Sequence, residues 1–387
     1  MDQIPLLQST ICPSRKQLFD TKSVEFQSRS EYFSCAVEAE QTLKSILDEQ
    51  TREGILYERT EREWVQCFAC GHRCKIAPGR DGICKVRFNR DGMLFVPWGY
   101  VSGVQLDPVE KKPFFHAYPG SNALSFGMLG CDYHCPYCQN WITSQAVRDP
   151  KAITKPELIS PERFVEIALS SGSKIVTSTY NEPLITSEWA MEIFKLAKQA
   201  GLVTSYVSNG NGTKEVLDYI QPYVDLYKVD LKGFSQKEYS KLGGTLQNVL
   251  DTIQSIHARG IWMEVVTLVI PGFNDSSEEL TEIAKFLAGI SPDIPWHVTA
   301  FHKEYKMTEP DNTNVKTLIR AAKIGYSAGL RYVYAGNIPG SVGRYENTYC
   351  HSCRKLLVER FGFRIMKNRI QNGACPSCKA KIPGRWA

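Results

Sequence analysis

The stretch GCDYHCPYCQNW, residues 130–141, places three cysteines in the spacing C-x3-C-x2-C. These are Cys131, Cys135 and Cys138, and thiolates this close in sequence are typical metal ligands. Four thiolates close a 4Fe–4S cluster, whereas three leave one iron free to bind a small molecule. Zinc is the alternative, and it would need a fourth ligand such as His134 in the same stretch. The spacing therefore predicts a metal centre with an open coordination position.

The sequence that follows this stretch has the pattern of an α/β protein. From about residue 123, short β-type runs alternate with amphipathic helical runs, which predicts a parallel sheet. The expected strands are ALSFGM, KIVTSTY, LVTSYVS, VDLYKVDL, WMEVVTLVI, WHVTAF and RYVYAG. Right-handed crossovers would curl them into a partial or full parallel β/α barrel of the TIM type. The cysteine stretch would then lie at the carboxyl rim of the strands, beside the polar turns TYNEP, SNGNG, DLKG, PGFND and FHKEYKM.

Cysteines are concentrated before, within and after the predicted barrel. The chain of 387 residues has thirteen, and the two groups outside the barrel are Cys67, Cys70, Cys74 and Cys84, then Cys350, Cys353, Cys375 and Cys378. The second group has the C-x2-C…C-x2-C pattern of a zinc ribbon and predicts structural zinc. The first group fits zinc or a closed 4Fe–4S cluster that would pass electrons. The two quartets could also exchange pairs if the chain termini meet.

These patterns divide the chain into four segments. We expect a helical extension over residues 1–60, a cysteine-rich module over 61–122, the barrel over 123–340 and a zinc-ribbon-like module over 345–387. The module over 61–122 is rich in Gly, Pro and Cys, so we expect it to need metal to stay folded.

Composition argues against a membrane protein. The chain is 43% hydrophobic and 22% charged, and no apolar run approaches the ~20 residues of a membrane span. Its first residues lack the basic and apolar regions of a signal peptide, so we expect a cytoplasmic protein that does not bind membranes. The net charge of +5 is too small to indicate nucleic acid by itself. The basic stretch RKLLVERFGFRIMKNR is most simply a solvated face, with nucleic acid as the alternative partner.

The motifs together resemble the radical S-adenosylmethionine (SAM) enzymes. CDYHCPYC, with an aromatic residue before the last cysteine, is similar to that superfamily's cluster loop, and TYNEP is similar to its Gly-Gly-Glu motif. DLKG resembles the Asp-Leu-Lys motif of the pyruvate formate-lyase activating enzymes. The series CxxCxHRCxIxPGxxGxCxVR, DPVEKKPFFHxxPG, GCDYHCPYCQNW and RYVYAGN resembles the AmmeMemoRadiSam-type enzymes over residues 60–387.

This resemblance implies a role for each matching residue. Cys131, Cys135 and Cys138 would bind a 4Fe–4S cluster, and SAM would chelate the open iron. The implied SAM contacts are Tyr137 near the adenine, Asn181 and Glu182 at the amino group, Ser208 and Asn209 at the ribose or carboxylate, Asp230 and Lys232 at the methionyl part, and His302 at the adenosine side. The reduced cluster would cleave SAM to a 5′-deoxyadenosyl radical, which takes hydrogen from the substrate. A flavodoxin- or ferredoxin-type donor would supply the electron.

One position departs from the activating enzymes. They carry an acidic residue in DTNG at the third strand end, whereas this chain has VSNG, with Val207 at the acidic position. The departure puts in question the ribose contact at this strand end and the strict assignment as an activating enzyme.

Several alternatives remain open on the sequence alone. Glu182 could cap a helix, Asp230 and Lys232 could form a surface pair, and His302 could be a core histidine. The preferred function is that of a radical SAM oxidoreductase similar to the pyruvate formate-lyase activating enzymes, with formation of a glycyl radical on a protein partner as the implied task. The alternatives are radical modification of a small molecule or an RNA base, and a non-enzymatic binding module built around metal. The strand ends do not identify the substrate.

Overall fold

The structure, a computed structural model, describes residues 42–386. Most of the predicted helical extension over residues 1–60 therefore lies outside the described residues. The part that is described begins with helix α1, Leu43–Glu49, which Thr42 caps by accepting from the Ser45 N–H. Two short strands follow, β1 (Thr51–Glu53) and β2 (Tyr57–Arg59).

Two small antiparallel sheets form the cysteine-rich module. The remaining strands are β3 (Val65–Cys67), β4 (Lys75–Ile76), β5 (Phe88–Arg90), β6 (Met93–Pro97) and β7 (Tyr100–Val101). One sheet has the order β1-β6-β5 and the other the order β2-β3-β4. Buried Arg87 fixes this module to the rest of the protein, because its guanidinium donates to both carboxylate oxygens of Glu188 at 2.7 Å.

The main sheet of the described residues has eight strands. They are β8 (Gly103–Pro108), β9 (Asn122–Gly127), β11 (Ile175–Ser178), β12 (Val203–Ser208), β13 (Leu226–Asp230), β14 (Trp262–Val269), β15 (Trp296–Ala300) and β16 (Val333–Gly336). Their order is β16-β15-β14-β13-β12-β11-β9-β8, and all neighbours are parallel except β8 and β9. The seven strands expected from the sequence are all present, and the α/β partial barrel is confirmed.

Helices cover the outer face of this sheet. They are α3 (Pro161–Ser170), α4 (Ser187–Gln199), α5 (Lys214–Ile220), α6 (Gln236–Leu242), α7 (Leu246–Ala258), α8 (Ser277–Ile290) and α9 (Val315–Ser327). The short helix α2 (Trp141–Ser144) instead continues the cysteine stretch. Hydroxyl or amide side chains such as Ser160, Ser276 and Asn314 cap the first turns of the outer helices. The helices cover the outer face of the sheet, and the curvature of the barrel encloses the inner face. This explains why strands such as β11 and β15 are buried at every residue. The short strand β10 (Glu157–Leu158) pairs with β7.

The loop between β8 and β9 forms the floor of the barrel. The sequence pattern indicates only a connection there, but the N–H groups of Phe115 and His116 donate to Glu264 at the start of β14, at 2.9 and 2.8 Å. The His116 ring contacts the Tyr334 hydroxyl on β16 at 2.5 Å. This floor closes the end of the barrel opposite the carboxyl rim, and it ties β8 and β9 to the far strands.

The last segment is a three-stranded antiparallel sheet with a cysteine cluster. Its strands are β17 (Thr348–Tyr349), β18 (Leu356–Phe361) and β19 (Arg364–Asn368). Arg360 on β18 is buried and donates to the Phe115 carbonyl at 2.8 Å, so this module packs against the floor. In residues 42–386, no helix combines the length and the apolar character that crossing a lipid bilayer requires.

Candidate active site

The carboxyl ends of the parallel strands surround a cavity of about 580 Å³. All three cysteines of the 130–141 stretch line it. Of the eight SAM contacts that the sequence predicts, seven line the same cavity: Tyr137, Asn181, Glu182, Asn209, Asp230, Lys232 and His302. Ser208 is buried behind the wall. Residues that follow five different strands therefore meet at one site, as the rim of a β/α barrel requires.

The cysteine loop is held in place by backbone contacts on both sides. The His134 N–H donates to the Leu242 carbonyl at 3.0 Å, and Gln145 and Arg148 donate to the Tyr133 carbonyl at 3.1 and 3.0 Å. Burial raises the pKa of Cys135 to about 12, so this thiol is protonated at neutral pH unless a metal binds it. Metal or cluster binding at the loop would therefore release protons.

The loop does not have the geometry of a zinc site. A zinc tetrahedron of thiolates needs sulfur atoms about 3.8 Å apart. Among the described residues, the C-terminal quartet alone brings three or more possible ligand atoms within 4.8 Å of one another, so Cys131, Cys135, Cys138 and His134 do not form such a group. The thiolates of a 4Fe–4S cluster bind separate irons and stand further apart, so these three cysteines fit a cluster better than zinc.

Glu182 connects the ends of two strands. One carboxylate oxygen accepts from the Leu184 N–H at 3.1 Å and from the Ser208 hydroxyl at 2.7 Å, and the other accepts from the Asn209 N–H at 2.7 Å. The first of these bonds is the helix cap that the sequence allows as an alternative role. Burial, with Asp132 nearby, raises the pKa of Glu182 above its ordinary value. A cation bound in the cavity would oppose that rise and favour the carboxylate.

Asp132 holds the cysteine loop against the third strand end. Its two carboxylate oxygens accept from the side-chain amides of Asn209 and Asn211 at 2.7 and 2.8 Å. The ring of His72, from the cysteine-rich module, lies 4.0 Å from the same carboxylate. The contribution of Asp132 was missed in the sequence analysis, where the available signal was an acidic residue directly after Cys131 in the cysteine loop.

Asp230 and Lys232 extend from the end of β13 into the cavity. Asp230 forms an ion pair with Lys228 on the same strand, and its second oxygen lies 3.6 Å from the Lys232 Nζ. Although burial opposes it, the Asp230 carboxylate raises the pKa of Lys232, so this lysine is a cation in the site. Both side chains are half-buried and line the cavity, which does not fit the surface role that the sequence allows.

Three further lysines line the cavity and were missed: Lys111, Lys112 and Lys228. Lys228 is buried beside Asp230 in the run VDLYKVDL, and a lysine inside an apolar strand was the available signal. Lys112 comes from the floor, where its ammonium contacts Asp107 and the Tyr180 hydroxyl, both at 2.9 Å. Val207 also lines the cavity, so no carboxylate faces it at the position where the activating enzymes have one.

The C-terminal quartet forms a compact site that could bind a metal ion. The sulfur atoms of Cys350 and Cys378 lie 3.5 Å apart, and those of Cys353 and Cys375 lie 3.6 Å apart. These distances agree with a tetrahedron of thiolates around one ion. The backbone N–H of Ala380 lowers the pKa of Cys378 to about 6, which favours the thiolate that a metal needs. The quartet pairs within itself, so the predicted exchange of pairs with Cys67, Cys70, Cys74 and Cys84 does not occur in the structure.

Comparison with known proteins identifies the class. The Radical SAM superfamily profile matches residues 127–287. The chain is 35% identical over 335 residues to an uncharacterized protein of Methanocaldococcus jannaschii, covering 86% of this chain and 98% of that one. It is 25% identical over 196 residues to the pyruvate formate-lyase-activating enzyme of Clostridium pasteurianum, covering 49% and 81%. The crystal structure of Streptococcus suis SuiB bound to S-adenosylmethionine aligns with a TM-score of 0.45 and 13% identity, covering 63% of this chain and 56% of that one.

The chain belongs to the radical SAM superfamily, and within it to the proteins that resemble pyruvate formate-lyase activating enzymes. Membership implies an enzyme that uses a 4Fe–4S cluster and SAM, and that needs a source of electrons.

Proposed function

We propose that the chain binds its catalytic 4Fe–4S cluster through Cys131, Cys135 and Cys138, cleaves SAM reductively and takes a hydrogen atom from a substrate in the barrel cavity. The observation that carries this proposal is the cavity itself. It brings three thiols that are too far apart for zinc together with a buried carboxylate, Glu182, and a half-buried ammonium, Lys232.

The cluster with bound SAM would supply one electron to the sulfonium and so produce the 5′-deoxyadenosyl radical. The residues of the chain bind and orient the cofactor. Glu182 suits the ammonium of SAM, and Lys232 suits its carboxylate, because opposite charges attract strongly in a buried site. Asn181 is held by accepting from the Met128 N–H at 3.0 Å, so the strand end beside Glu182 is rigid. Tyr137 and His302 would border the adenosine.

The walls of the cavity would also limit the access of water to the reaction. Gly362 and Phe363, at the tip of the β18–β19 hairpin, line it from the C-terminal module, and Phe115 lines it from the floor. Walls that limit solvent access protect a reactive intermediate from quenching. The C-terminal module, for which we propose structural zinc, would therefore also shape the substrate site.

For the substrate, we propose a protein partner on which the enzyme forms a glycyl radical, as the similarity to the activating enzymes suggests. Anaerobic capture of partners, followed by EPR after addition of SAM and reductant, should show a glycyl doublet. A doublet that never forms, with SAM cleavage stimulated instead by a small molecule or an RNA, would favour the alternative substrates.

The proposed chemistry is tested by 5′-deoxyadenosine formation. Wild type, reconstituted anaerobically and given SAM and dithionite, should release the product, and a triple variant with Cys131→Ala, Cys135→Ala and Cys138→Ala should not. Cys35→Ala is the matched control, since Cys35 stands outside the three cysteine groups, and it should behave as wild type. SAM should also change the EPR spectrum of the reduced wild type. An iron-loaded wild type that gives neither product nor a spectral change would contradict the proposal.

A further inference from the structure

We propose that Cys67, Cys70, Cys74 and Cys84 hold a second 4Fe–4S cluster, closed by four thiolates and separate from the catalytic one. This assignment concerns a site on the cysteine-rich module and does not depend on the proposed function.

The first argument is the contrast between the two quartets. The four sulfur atoms of the C-terminal quartet lie within 4.8 Å of one another, and among the described residues no three ligand atoms of the first quartet do so. The four thiols nevertheless share one region: the Cys67 N–H donates to the Cys74 carbonyl at 2.9 Å, the N–H of Ile83, next to Cys84, donates to the Cys74 sulfur at 3.5 Å, and Cys70 packs in the same apolar cluster as Cys84. Four thiolates that are close but not in contact suit a group larger than one ion, because each binds a different iron.

The second argument is the shell around the quartet. Cys67, Cys70 and Cys84 are buried, and Cys70 and Cys84 pack in an apolar cluster with Val86 and Ile185. The C-terminal quartet has an exposed member, Cys378, as a structural zinc site tolerates. An apolar shell that keeps water out stabilises an iron–sulfur cluster and tunes its potential.

The third argument is the sequence and its local geometry. A zinc ribbon uses two C-x2-C turns, and this quartet has a single one, Cys67 to Cys70. Cys74 follows at the next turn, where its sulfur accepts from the Ile83 N–H at 3.5 Å. Such N–H···S bonds are a recognised means by which proteins adjust cluster potentials.

The quartet also lies against the catalytic loop. A Cβ added at Gly130 would come within 2.9 Å of Val86 and 3.2 Å of the Cys84 carbonyl, so the two segments are in direct contact. Arg148 donates to the Ile83 carbonyl and to the Tyr133 carbonyl, one from each loop. A flavodoxin- or ferredoxin-type donor would be oxidised by one electron, and the quartet cluster would be reduced by that electron. The quartet cluster would then pass the electron to the catalytic cluster and return to its oxidised state. This role, unlike the metal assignment, rests on the proposed function.

Metal content tests the assignment. The full chain and its Cys131→Ala, Cys135→Ala, Cys138→Ala variant are reconstituted anaerobically, and iron and zinc are counted. Wild type should bind about eight iron atoms and the variant about four, each with about one zinc. The reduced variant should show a 4Fe–4S EPR signal that SAM does not change, since four thiolates leave no open iron. Retention of the one zinc in the variant confirms that it is folded.

Two results would contradict a 4Fe–4S cluster at Cys67, Cys70, Cys74 and Cys84. A variant that binds no iron and about two zinc atoms would overturn the assignment, and so would a folded variant with one zinc and an empty quartet. Failure of the proposed function looks different: wild type and variant would then both bind about four iron atoms, because the catalytic loop would hold none while the quartet kept its cluster.

Discussion

Each of the four lysines that line the cavity pairs with a carboxylate, and Lys111 shares Asp107 with Lys112. Lys232 faces Asp230, Lys228 is paired with the same carboxylate, and Lys112 is paired with Asp107. Lys232 is the one whose ammonium approaches its partner least closely, at 3.6 Å. It is therefore the lysine best able to bind an added carboxylate without losing an existing ion pair.

We expect Lys232→Met to weaken SAM binding by about 10- to 100-fold, because a hydrogen bond to a charged group contributes about 1.5–3 kcal/mol. Equilibrium binding to the reconstituted enzyme measures the effect. Lys241→Met is the control, since Lys241 lies exposed on helix α6 and pairs with Glu238. Equal affinities for Lys232→Met and wild type would remove Lys232 from the SAM site.

A second variant separates the two roles of Glu182. Glu182→Gln replaces one acceptor oxygen by an amide donor, so the N–H of Leu184 or of Asn209 loses its partner and the stability should fall. Loss of the carboxylate should also lower the affinity for SAM. Asn314→Ala, which removes the cap of helix α9, should cost a similar ~1 kcal/mol in stability and leave SAM binding unchanged. If Glu182→Gln also left SAM binding unchanged, Glu182 would be a cap and nothing more.

Sequence reasoning was most successful for residues that sit in a recognisable motif. The motif residues Asn181, Glu182, Asp230 and Lys232 all reach the cavity, whereas Ser208 lies behind the wall because its hydroxyl is committed to Glu182. Lys112 could not be found from the sequence, because nothing in EKKPFF shows that this segment turns under the barrel. Residues that follow a predicted strand can be placed at the rim from the strand pattern. The position of the floor loop depends on contacts between residues far apart in the sequence, which the pattern does not show.

At the scale of elements, the cysteine loop depends on the close approach of the turn between α6 and α7. Gly243 has φ +84°, and a Cβ there would lie 2.5 Å from the His134 ring. A Cβ at Gly244 would overlap the Tyr133 ring. The two glycines thus allow this turn to pack directly against the loop that carries the cysteines.

Gly244→Ala should displace Tyr133 and the loop, at a cost of about 1–3 kcal/mol for the added group. The expected result is less iron bound per chain after reconstitution, measured beside wild type. Gly289→Ala on helix α8 is the matched control, because its added methyl group meets nothing within 4 Å. Full iron loading of Gly244→Ala would show that the loop tolerates the shift.

The strand pattern also shows where sequence reasoning stops. The seven parallel strands are apolar runs bounded by turns, and all seven were predicted. Strand β8 was missed, because GVQLDP alternates buried and exposed residues weakly and its partner β9 follows only after the floor. An antiparallel edge strand of this kind can be assigned from its pairing with a neighbouring strand more readily than from its own sequence.

At the scale of the whole molecule, a buried ion pair joins the cysteine-rich module to the barrel. Arg87 and Glu188 are both almost completely buried, and the guanidinium also donates to the Ile185 carbonyl at 3.0 Å. The Arg87 charge outweighs burial and lowers the pKa of Glu188. Removing one partner leaves the other charge uncompensated in a medium of low polarity.

Glu188→Gln should therefore reduce the free energy of unfolding by about 3–5 kcal/mol. Denaturation by urea under anaerobic conditions measures the loss. Glu166→Gln breaks a pair of the same kind that is exposed on helix α3, so it should cost less than about 1 kcal/mol. Similar losses for the two variants would mean that the buried pair does not join the module to the barrel.

The floor of the barrel has a consequence for how such a chain can evolve. Phe115 and Lys112 border the cavity from below, and they lie outside residues 127–287, where the superfamily profile matches. The groups proposed for SAM cleavage are at the opposite rim. Substitutions in the floor can therefore alter the depth and charge of the cavity while the radical chemistry is inherited unchanged. Descendants of one ancestral catalyst could acquire new substrates through this segment alone.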